Sequence, residues 1–140
     1  MQDIKFRARR AFDGKWVYGD LIQSKPNKVD GEYSSWIKEK TIMPFGAIST
    51  PTEKFIKVRP ETVGQFTGIT DKNGKDGFEE DIARYEFDDE NSGVFVIRFD
   101  VDKFKFSLFD KDGFWGINNK DVEKRLTIIG NTYENPELLE

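Results

Sequence analysis

Hydrophobic and polar residues alternate along the first strand-like segment of this chain. Its apolar positions are Ile4, Phe6 and Ala8, and its polar positions are Lys5, Arg7 and Arg9. This period of two is typical of a half-buried strand. Asp13-Gly14 then favours a tight turn, and residues 15–22 form a second strand-like run. The N-terminal segment is therefore predicted to be a hairpin with one basic face.

Similar patterns recur along the rest of the chain. They predict strands at residues 36–37, 41–43, 55–58, 62–69, 82–87, 94–99, 104–109 and 126–129, with a loop at 23–33. Asn73-Gly74 predicts a hairpin turn. Helix is favoured only at Asn118–Arg125 and in a turn that begins at Asn135-Pro136. The expected fold is mainly β, an antiparallel small barrel or sandwich with one or two short helices.

The length of 140 residues favours a single domain, residues 1–140, which could contain two β subassemblies of about 1–58 and 59–140. The hydrophobic content is low at 36%, but the 13 Phe residues provide large apolar side chains. The predicted core consists of Phe6, Trp16, Phe66, Ile82, Phe95, Ile97, Phe106, Leu126 and Ile128. Gly64 and Gly68, in the predicted strand 62–69, indicate a bulge or a close backbone approach.

The formal charge of −4 is unevenly distributed along the chain. Residues 1–28 contain seven Lys and Arg against three Asp, whereas residues 76–102 contain ten carboxylates against two Arg. Three interpretations fit this asymmetry: solvated strand faces that partly neutralise each other, a nucleic-acid-binding end, or a head-to-tail contact between copies. The acidic residues between Glu79 and Glu90 are interpreted as solvated decoration of turns and edge strands.

The residues that most catalytic sites use are scarce. The chain has no His and no Cys, and it has neither a nucleophile elbow nor a phosphate-binding glycine loop. We therefore expect that the protein is not an enzyme, that it has no cofactor and that it has no disulfide. Asp71-x-Asn73 and Asp110-x-Asp112 begin like calcium loops, but Lys75 and Phe114 occupy the third ligand position. No metal site is expected, and both segments are predicted to be turns.

Three blocks in order along the chain resemble the YopX family, which is encoded mainly by bacteriophages and prophages. The first comprises Ile4-Lys-Phe-Arg7 and Gly14-Lys-Trp-Val-Tyr-Gly-Asp-Leu-Ile22. The second comprises Pro60-Glu-Thr-Val-Gly-Gln-Phe-Thr-Gly68 and Asp71-Lys-Asn-Gly-Lys75, and the third is Gly130-Asn-Thr-Tyr-Glu-Asn-Pro-Glu-Leu-Leu139. The chain departs from the family at residues 76–83, where a glycine is gained at position 77 and one is absent at position 80. The resemblance implies a compact, mostly β fold and a phage or prophage setting. It implies no activity, because the family is functionally uncharacterised.

Two hypotheses for function remain. The first is binding of an unknown protein partner or self-assembly as a homo-oligomer, which the charge asymmetry and the Phe-rich strands favour. The second is nucleic-acid binding by the N-terminal hairpin, where cations lie beside Phe6, Phe12, Trp16 and Tyr18. The candidate contacts are Lys5, Arg7, Arg9, Arg10 and Lys15. No apolar run approaches the length of about 20 residues that spans a membrane. Because the N-terminus has no signal-peptide pattern, we expect the cytoplasm of a bacterial host cell.

Overall fold

The computed structural model describes residues 4–25, 34–41, 52–114 and 122–140. The chain divides into two compact units, Asp3–Gln65 and Phe66–Glu140. The boundary therefore follows Gln65, seven residues later than that of the two subassemblies predicted from the sequence. Residues 42–43 of the strand predicted at 41–43, and the predicted start of a helix at residues 118–121, lie outside the described residues.

The first unit contains a sheet of antiparallel strands. These are β1 (Phe6–Arg9), β2 (Trp16–Gln23), β3 (Ser35–Thr41), β4 (Thr52–Val58) and the start of β5 (Gly64–Thr70). Their order is β4-β3-β2-β1-β5, and a 3₁₀ turn, Pro60–Thr62, precedes β5. Ala8 lies opposite Val17, and Ile37 lies opposite Ile56. The predicted N-terminal hairpin is confirmed as β1 and β2.

The end of β4 returns to the end of β1. Arg10 and Val58 form an isolated antiparallel bridge, and the N–H of Ala11 donates to the carbonyl of Lys57 at 2.9 Å. The N–H of Arg59 donates to the carbonyl of Arg9, also at 2.9 Å. These bonds satisfy backbone groups that the edge of the sheet would otherwise expose.

One side of this sheet forms the core of the first unit. Ala8, Val17, Ile37 and Val58 are buried there, and Phe6, Leu21, Ile56 and Val63 pack against them. Burial of each large apolar side chain contributes about 1.5–3 kcal/mol. Ser35 is also fully buried on this side, and its hydroxyl has no hydrogen-bond partner among the described residues. The apolar side of the β1–β2 hairpin is thus the one that the alternation predicts.

The second unit contains the rest of β5 and the remaining strands. These are β6 (Asp76–Phe78), β7 (Asp81–Glu86), β8 (Ser92–Asp100), β9 (Lys105–Asp110), β10 (Gly113–Phe114) and β11 (Leu126–Asn131). Its five-stranded antiparallel sheet has the order β10-β9-β8-β7-β11. Helix α1, Val122–Arg125, precedes β11, and a 3₁₀ turn at Pro136–Leu139 ends the unit. The helical turn predicted after Asn135 is confirmed.

The core of the second unit contains Ala83, Tyr85, Phe95, Ile97, Leu108, Val122 and Leu126, with Ile69 and Phe106 packed against it. Across both units, five of the predicted core residues are buried: Ile82, Phe95, Ile97, Leu126 and Ile128. The other four, Phe6, Trp16, Phe66 and Phe106, are only half-buried. Phe66 and Phe106 nevertheless make ring contacts within the second unit, with Phe78 at 5.7 Å and with Phe99 at 5.3 Å between centroids.

The acidic residues at 79–90 were predicted to be solvated decoration of turns and edge strands. This prediction is wrong for two of them. Asp81 is 1% exposed, and its Oδ2 accepts the N–H of Phe78 at 2.8 Å. Glu80 is half-buried and forms an ion pair with Arg98 at 2.7 Å. Both carboxylates lie where β6 turns into β7. They are buried or half-buried there because their oxygens accept hydrogen bonds from donors of the turn and of β8. Asp88 and Glu90 are exposed, as predicted.

The prediction of a mainly β, antiparallel fold with few helices is confirmed. Among the described residues neither sheet closes into a barrel, since each strand order has two ends. The register of β5 with β6 is irregular between Phe66 and Thr70, in the strand where Gly64 and Gly68 predicted a bulge or a close backbone approach, and Gly68 has a φ of 81°. Within the described ranges, no helix has the length and apolar character needed to cross a membrane.

Candidate functional site

The side of the β1–β4 sheet that faces away from its core carries aromatic and cationic residues from all four strands. Successive residues of a strand point to opposite sides, and the register aligns the strands. Arg9 lies opposite Trp16, Lys38 opposite Asp20, and Phe55 opposite Lys38. We call this side the outer face. It comprises Arg7, Arg9, Trp16, Tyr18, Asp20, Ile22, Trp36, Lys38, Phe55 and Lys57.

Two arginines stack on Trp16 at one end of the outer face. The guanidinium carbon of Arg7 lies 4.5 Å from the centroid of the Trp16 ring, and that of Arg9 lies at 6.0 Å. Nε of Arg9 also donates to the carbonyl of Gly14 at 2.8 Å. A cation over an indole ring gains about 0.5–2 kcal/mol, and the gain rises as water is excluded. Arg7 is only 6% exposed, so its stacking on Trp16 is largely shielded from solvent.

These contacts correct one expectation from the sequence. Trp16 was predicted to lie in the core with Phe6, but it lies on the opposite side of the sheet, with Arg7 and Arg9. Val17 takes the core position opposite Ala8. The hairpin register is the reason, because it places Trp16 across from Arg9. The register therefore places Trp16 with the cations of the hairpin and not in the core.

The outer face also exposes large apolar side chains. Phe55 is 56% exposed, Tyr18 49% and Ile22 38%. Nζ of Lys38 lies 6.0 Å from the centroid of the Phe55 ring, and the side chain of Lys57 is exposed nearby on β4. Aromatic residues and arginine, which the outer face also carries, are enriched at surfaces that bind other proteins. Sequence reasoning missed Trp36, Lys38, Phe55 and Lys57, because they lie on distant segments that only the strand register brings together.

The residues predicted to contact nucleic acid occupy three places. Arg7 and Arg9 belong to the outer face, where Arg7 is buried and Arg9 half-buried. Arg10 and Lys15 instead flank the β1–β2 turn. Lys5 precedes β1 and is half-buried. The five candidates are therefore distributed over the outer face, the turn and the residue before β1.

Asp13 organises the β1–β2 turn. Nε of Arg10 donates to Asp13 Oδ1 at 2.8 Å, and the N–H of Lys15 donates to the same oxygen at 3.0 Å. The hydrogen bonds from Arg10, and then that from Lys15, hold the pKa of the Asp13 carboxyl well below its usual range. The guanidinium of Arg10 is thus paired with Asp13 within its own turn.

A groove lies beside the outer face, between this turn and β4. It has a volume of about 620 Å³ and is lined by Arg10, Ala11, Phe12, Ile56 and Lys57. Phe12 is 95% exposed at its rim. We call this feature the turn groove. Lys57 belongs to both the outer face and the turn groove, so the two surfaces are continuous.

The two units carry opposite charge. Residues 1–65 contain 12 Lys and Arg against eight Asp and Glu, a formal charge of +4. Residues 66–140 contain ten Lys and Arg against 18 Asp and Glu, a formal charge of −8. We call them the basic unit and the acidic unit. No cluster of three or more potential metal ligands occurs in the described part of the chain.

Comparison with known proteins adds a family and a fold. A family model described as "YopX protein" matches residues 5–140. The crystal structure of protein EF1440 from Enterococcus faecalis is similar over 100% of both chains, with a TM-score of 0.57 and 22% identity. At that identity the likeness concerns the fold alone. The search of curated proteins gave no match.

Proposed function

The chain belongs to the YopX protein family, and on this premise we propose that it is a phage- or prophage-derived accessory protein that acts by protein binding or self-assembly. The family setting supports a place in the cytoplasm of a bacterial host cell. Binding rather than catalysis is supported by a sequence without His or Cys, the residues that most often serve as general base or strong nucleophile. The outer face of the basic unit is the proposed binding surface.

The observation that carries this proposal is the exposure of Phe55 and Tyr18 beside cations on a regular sheet. Phe55 is 56% exposed and Tyr18 49% exposed, although aromatic side chains gain most from burial. Lys38 and Lys57 lie among them. A partner with an apolar centre and an acidic rim would bury the rings and neutralise the lysines. An acidic protein surface is thus the best match.

A protein fits the outer face better than a nucleic acid does. Ile22 offers a nucleic acid no stacking, and Asp20 would repel its phosphates. The acidic unit, with its formal charge of −8, would also repel a long polyanion. The same unit on a second copy is itself an acidic surface, which makes self-association the first form of binding to test.

The test compares wild type with Phe55→Ser, which removes an exposed ring from the outer face. Leu138→Ser, in the acidic unit, is a control, since Leu138 is 36% exposed. Each protein is studied by light scattering at low and high salt and by capture of partners from host lysate with mass spectrometry. We expect wild type and the control either to self-associate or to capture an acidic protein, and we expect high salt to weaken this binding. Phe55→Ser should lose the binding. A monomeric wild type whose captured proteins do not differ from those of Phe55→Ser would refute the proposal.

Nucleic-acid binding is the second candidate, favoured by the stacking of Arg7 and Arg9 on Trp16. Such cation and ring pairs also occur in single-strand binding surfaces. Titration of fluorescently labelled single- and double-stranded DNA at low salt is the test. This candidate requires an affinity for DNA that falls as the salt concentration rises. Absence of binding, or binding with no salt dependence, would remove it.

A further inference from the structure

The turn between β8 and β9 exposes apolar side chains to an unusual extent. Phe104 is 85% exposed and Val101 69%, and Phe99 at the end of β8 is 42% exposed. Asp100 pairs with Lys105, so the turn consists of Val101, Asp102, Lys103 and Phe104. We call these four residues the hairpin tip. Isolated exposed apolar residues are common, but adjacent ones on a projecting turn indicate a contact site.

The backbone at Phe104 is a second, independent observation. Its φ is 53°, in the left-handed region that glycine and asparagine adopt most readily. A bulky residue in this region costs about 1–2 kcal/mol relative to glycine. Phe104 is also too exposed to recover that cost by burial in its own unit. Strain of this kind, at an exposed residue, points to a role in binding.

The turn groove of the basic unit is complementary to the hairpin tip. Its apolar lining is Ala11, Phe12 and Ile56, and its cations are Lys57 and Arg10, of which Arg10 is already paired with Asp13. The tip has apolar Phe104 and Val101, with Asp102 and Lys103 exposed between them, so Asp102 is its acidic group. The groove volume of about 620 Å³ is in the range of sites that enclose a side chain or small ligand. Phe12 belongs to the basic unit and Phe104 to the acidic unit, and both side chains are strongly exposed.

We propose that the hairpin tip of one copy binds the turn groove of a second copy, with Phe104 against Phe12 and Ile56, and Asp102 near Lys57. This proposal rests on the proposed function and names its partner. The two surfaces differ, so the contact is heterologous. Repetition joins copies head to tail, into a ring if the rotation closes and into a filament if it does not.

The experiment measures molar mass by light scattering over a range of concentrations for wild type, Phe104→Asn and Phe12→Ser. Asparagine tolerates the left-handed region, so Phe104→Asn should fold. Ile4→Ser is the control for Phe12→Ser, since Ile4 is 71% exposed in the same unit. We expect wild type and Ile4→Ser to assemble beyond a dimer. Phe104→Asn and Phe12→Ser should each associate at least about tenfold more weakly.

A mixture of the two variants gives the sharpest test. Phe104→Asn retains an intact groove, and Phe12→Ser retains an intact tip, so an equimolar mixture can form one junction. Both free ends of that pair are defective. At a concentration where each variant alone stays monomeric, the mixture is therefore expected to form a dimer and nothing larger.

Several outcomes would overturn the tip-and-groove contact. They are a monomeric wild type, a wild type that stops at a dimer, and assembly that Phe104→Asn leaves unchanged. The result for Phe55→Ser separates this failure from failure of the proposed function. If Phe55→Ser abolishes assembly or capture of a host protein while Phe104→Asn does not, the outer face is the binding surface and the hairpin tip is not.

Discussion

Oδ2 of Asp71 accepts a hydrogen bond from the backbone N–H of Ile128 at 3.0 Å, although 57 residues separate them. The other oxygen, Oδ1, accepts the N–H groups of Asn73 at 2.8 Å and Lys75 at 2.9 Å. Asp71 is only 4% exposed. One carboxylate therefore closes the Asn73-Gly74 turn and fastens it to β11. The motif that begins at Asp71 is a structural element, and its aspartate binds backbone donors.

Substitution of Asp71 should lower stability in a way that depends on pH. Burial raises the pKa of the Asp71 carboxyl, but the hydrogen bonds from Ile128, Lys75 and Asn73 outweigh burial and lower it. A carboxyl whose pKa is lower in the folded state stabilises the protein at pH values above the pKa of the unfolded state, which is about 4. That contribution is lost as the pH falls through the folded pKa. We expect Asp71→Asn to cost about 2 kcal/mol at pH 7, and less in acid.

Urea unfolding at neutral pH and near pH 3 would measure this difference. Asp112→Asn is a suitable control, since Asp112 is exposed, and it should change stability by less than about 0.5 kcal/mol. An Asp71→Asn variant with the same loss at both pH values would show that the charge of the carboxylate is unimportant.

Gly19 is required by the close approach of β2 and β3. A Cβ at this position would lie 2.2 Å from the carbonyl oxygen of Lys38, which is a backbone atom and cannot move alone. We expect Gly19→Ala to destabilise the protein by about 1–3 kcal/mol, as overpacking does. Gly74→Ala is the comparison, because Gly74 has φ +80° but open space around it. It should cost only about 1 kcal/mol. Thermal unfolding of both variants would test the difference, and equal losses would contradict it.

The ion pair of Glu80 and Arg98 should contribute little at high salt. Nε of Arg98 donates to Glu80 at 2.7 Å, and the hydroxyl of Thr132 donates to the same carboxylate at 2.8 Å. The side chain of Arg98 is 51% exposed, so solvent screens the pair. A double-mutant cycle of Glu80→Gln and Arg98→Gln should give a coupling of about 0.2–1 kcal/mol at low salt. The coupling should fall in high salt, and a value that salt leaves unchanged would contradict this view.

The sequence predicted most strands of the fold, because alternation and turn residues are local signals. Period-two patterns located β8 and β9, and Asn73-Gly74 located its turn. The side chains of the outer face could not be grouped in this way. Phe55 and Lys38 share a face only through the register of β3 and β4, which depends on long-range pairing.

Buried polar residues were the other source of error. Asp81 and Arg7 are charged, so their positions were interpreted as solvated, yet they are 1% and 6% exposed. Asp81 is buried because it accepts the N–H of Phe78, and Arg7 because it stacks on Trp16. These partners, a backbone N–H and an aromatic ring, offset the cost of burying a charge. They lie on other segments or in a turn. A pattern of single residues does not contain them.

Phe104 should be dispensable for stability, even though it is expected to be required for assembly. Its side chain is 85% exposed, so its removal loses little burial, and its φ of 53° favours asparagine over phenylalanine. We expect Phe104→Asn to leave the free energy of unfolding unchanged or to raise it by up to about 1 kcal/mol. Phe106→Asn is the contrasting variant, because Phe106 is half-buried and its ring lies 5.3 Å from that of Phe99. It should lower stability clearly. Urea unfolding of dilute protein, where assembly makes no contribution, would measure both. A destabilised Phe104→Asn would mean that Phe104 supports its own unit, and the strain at this residue would then need no binding role to explain it.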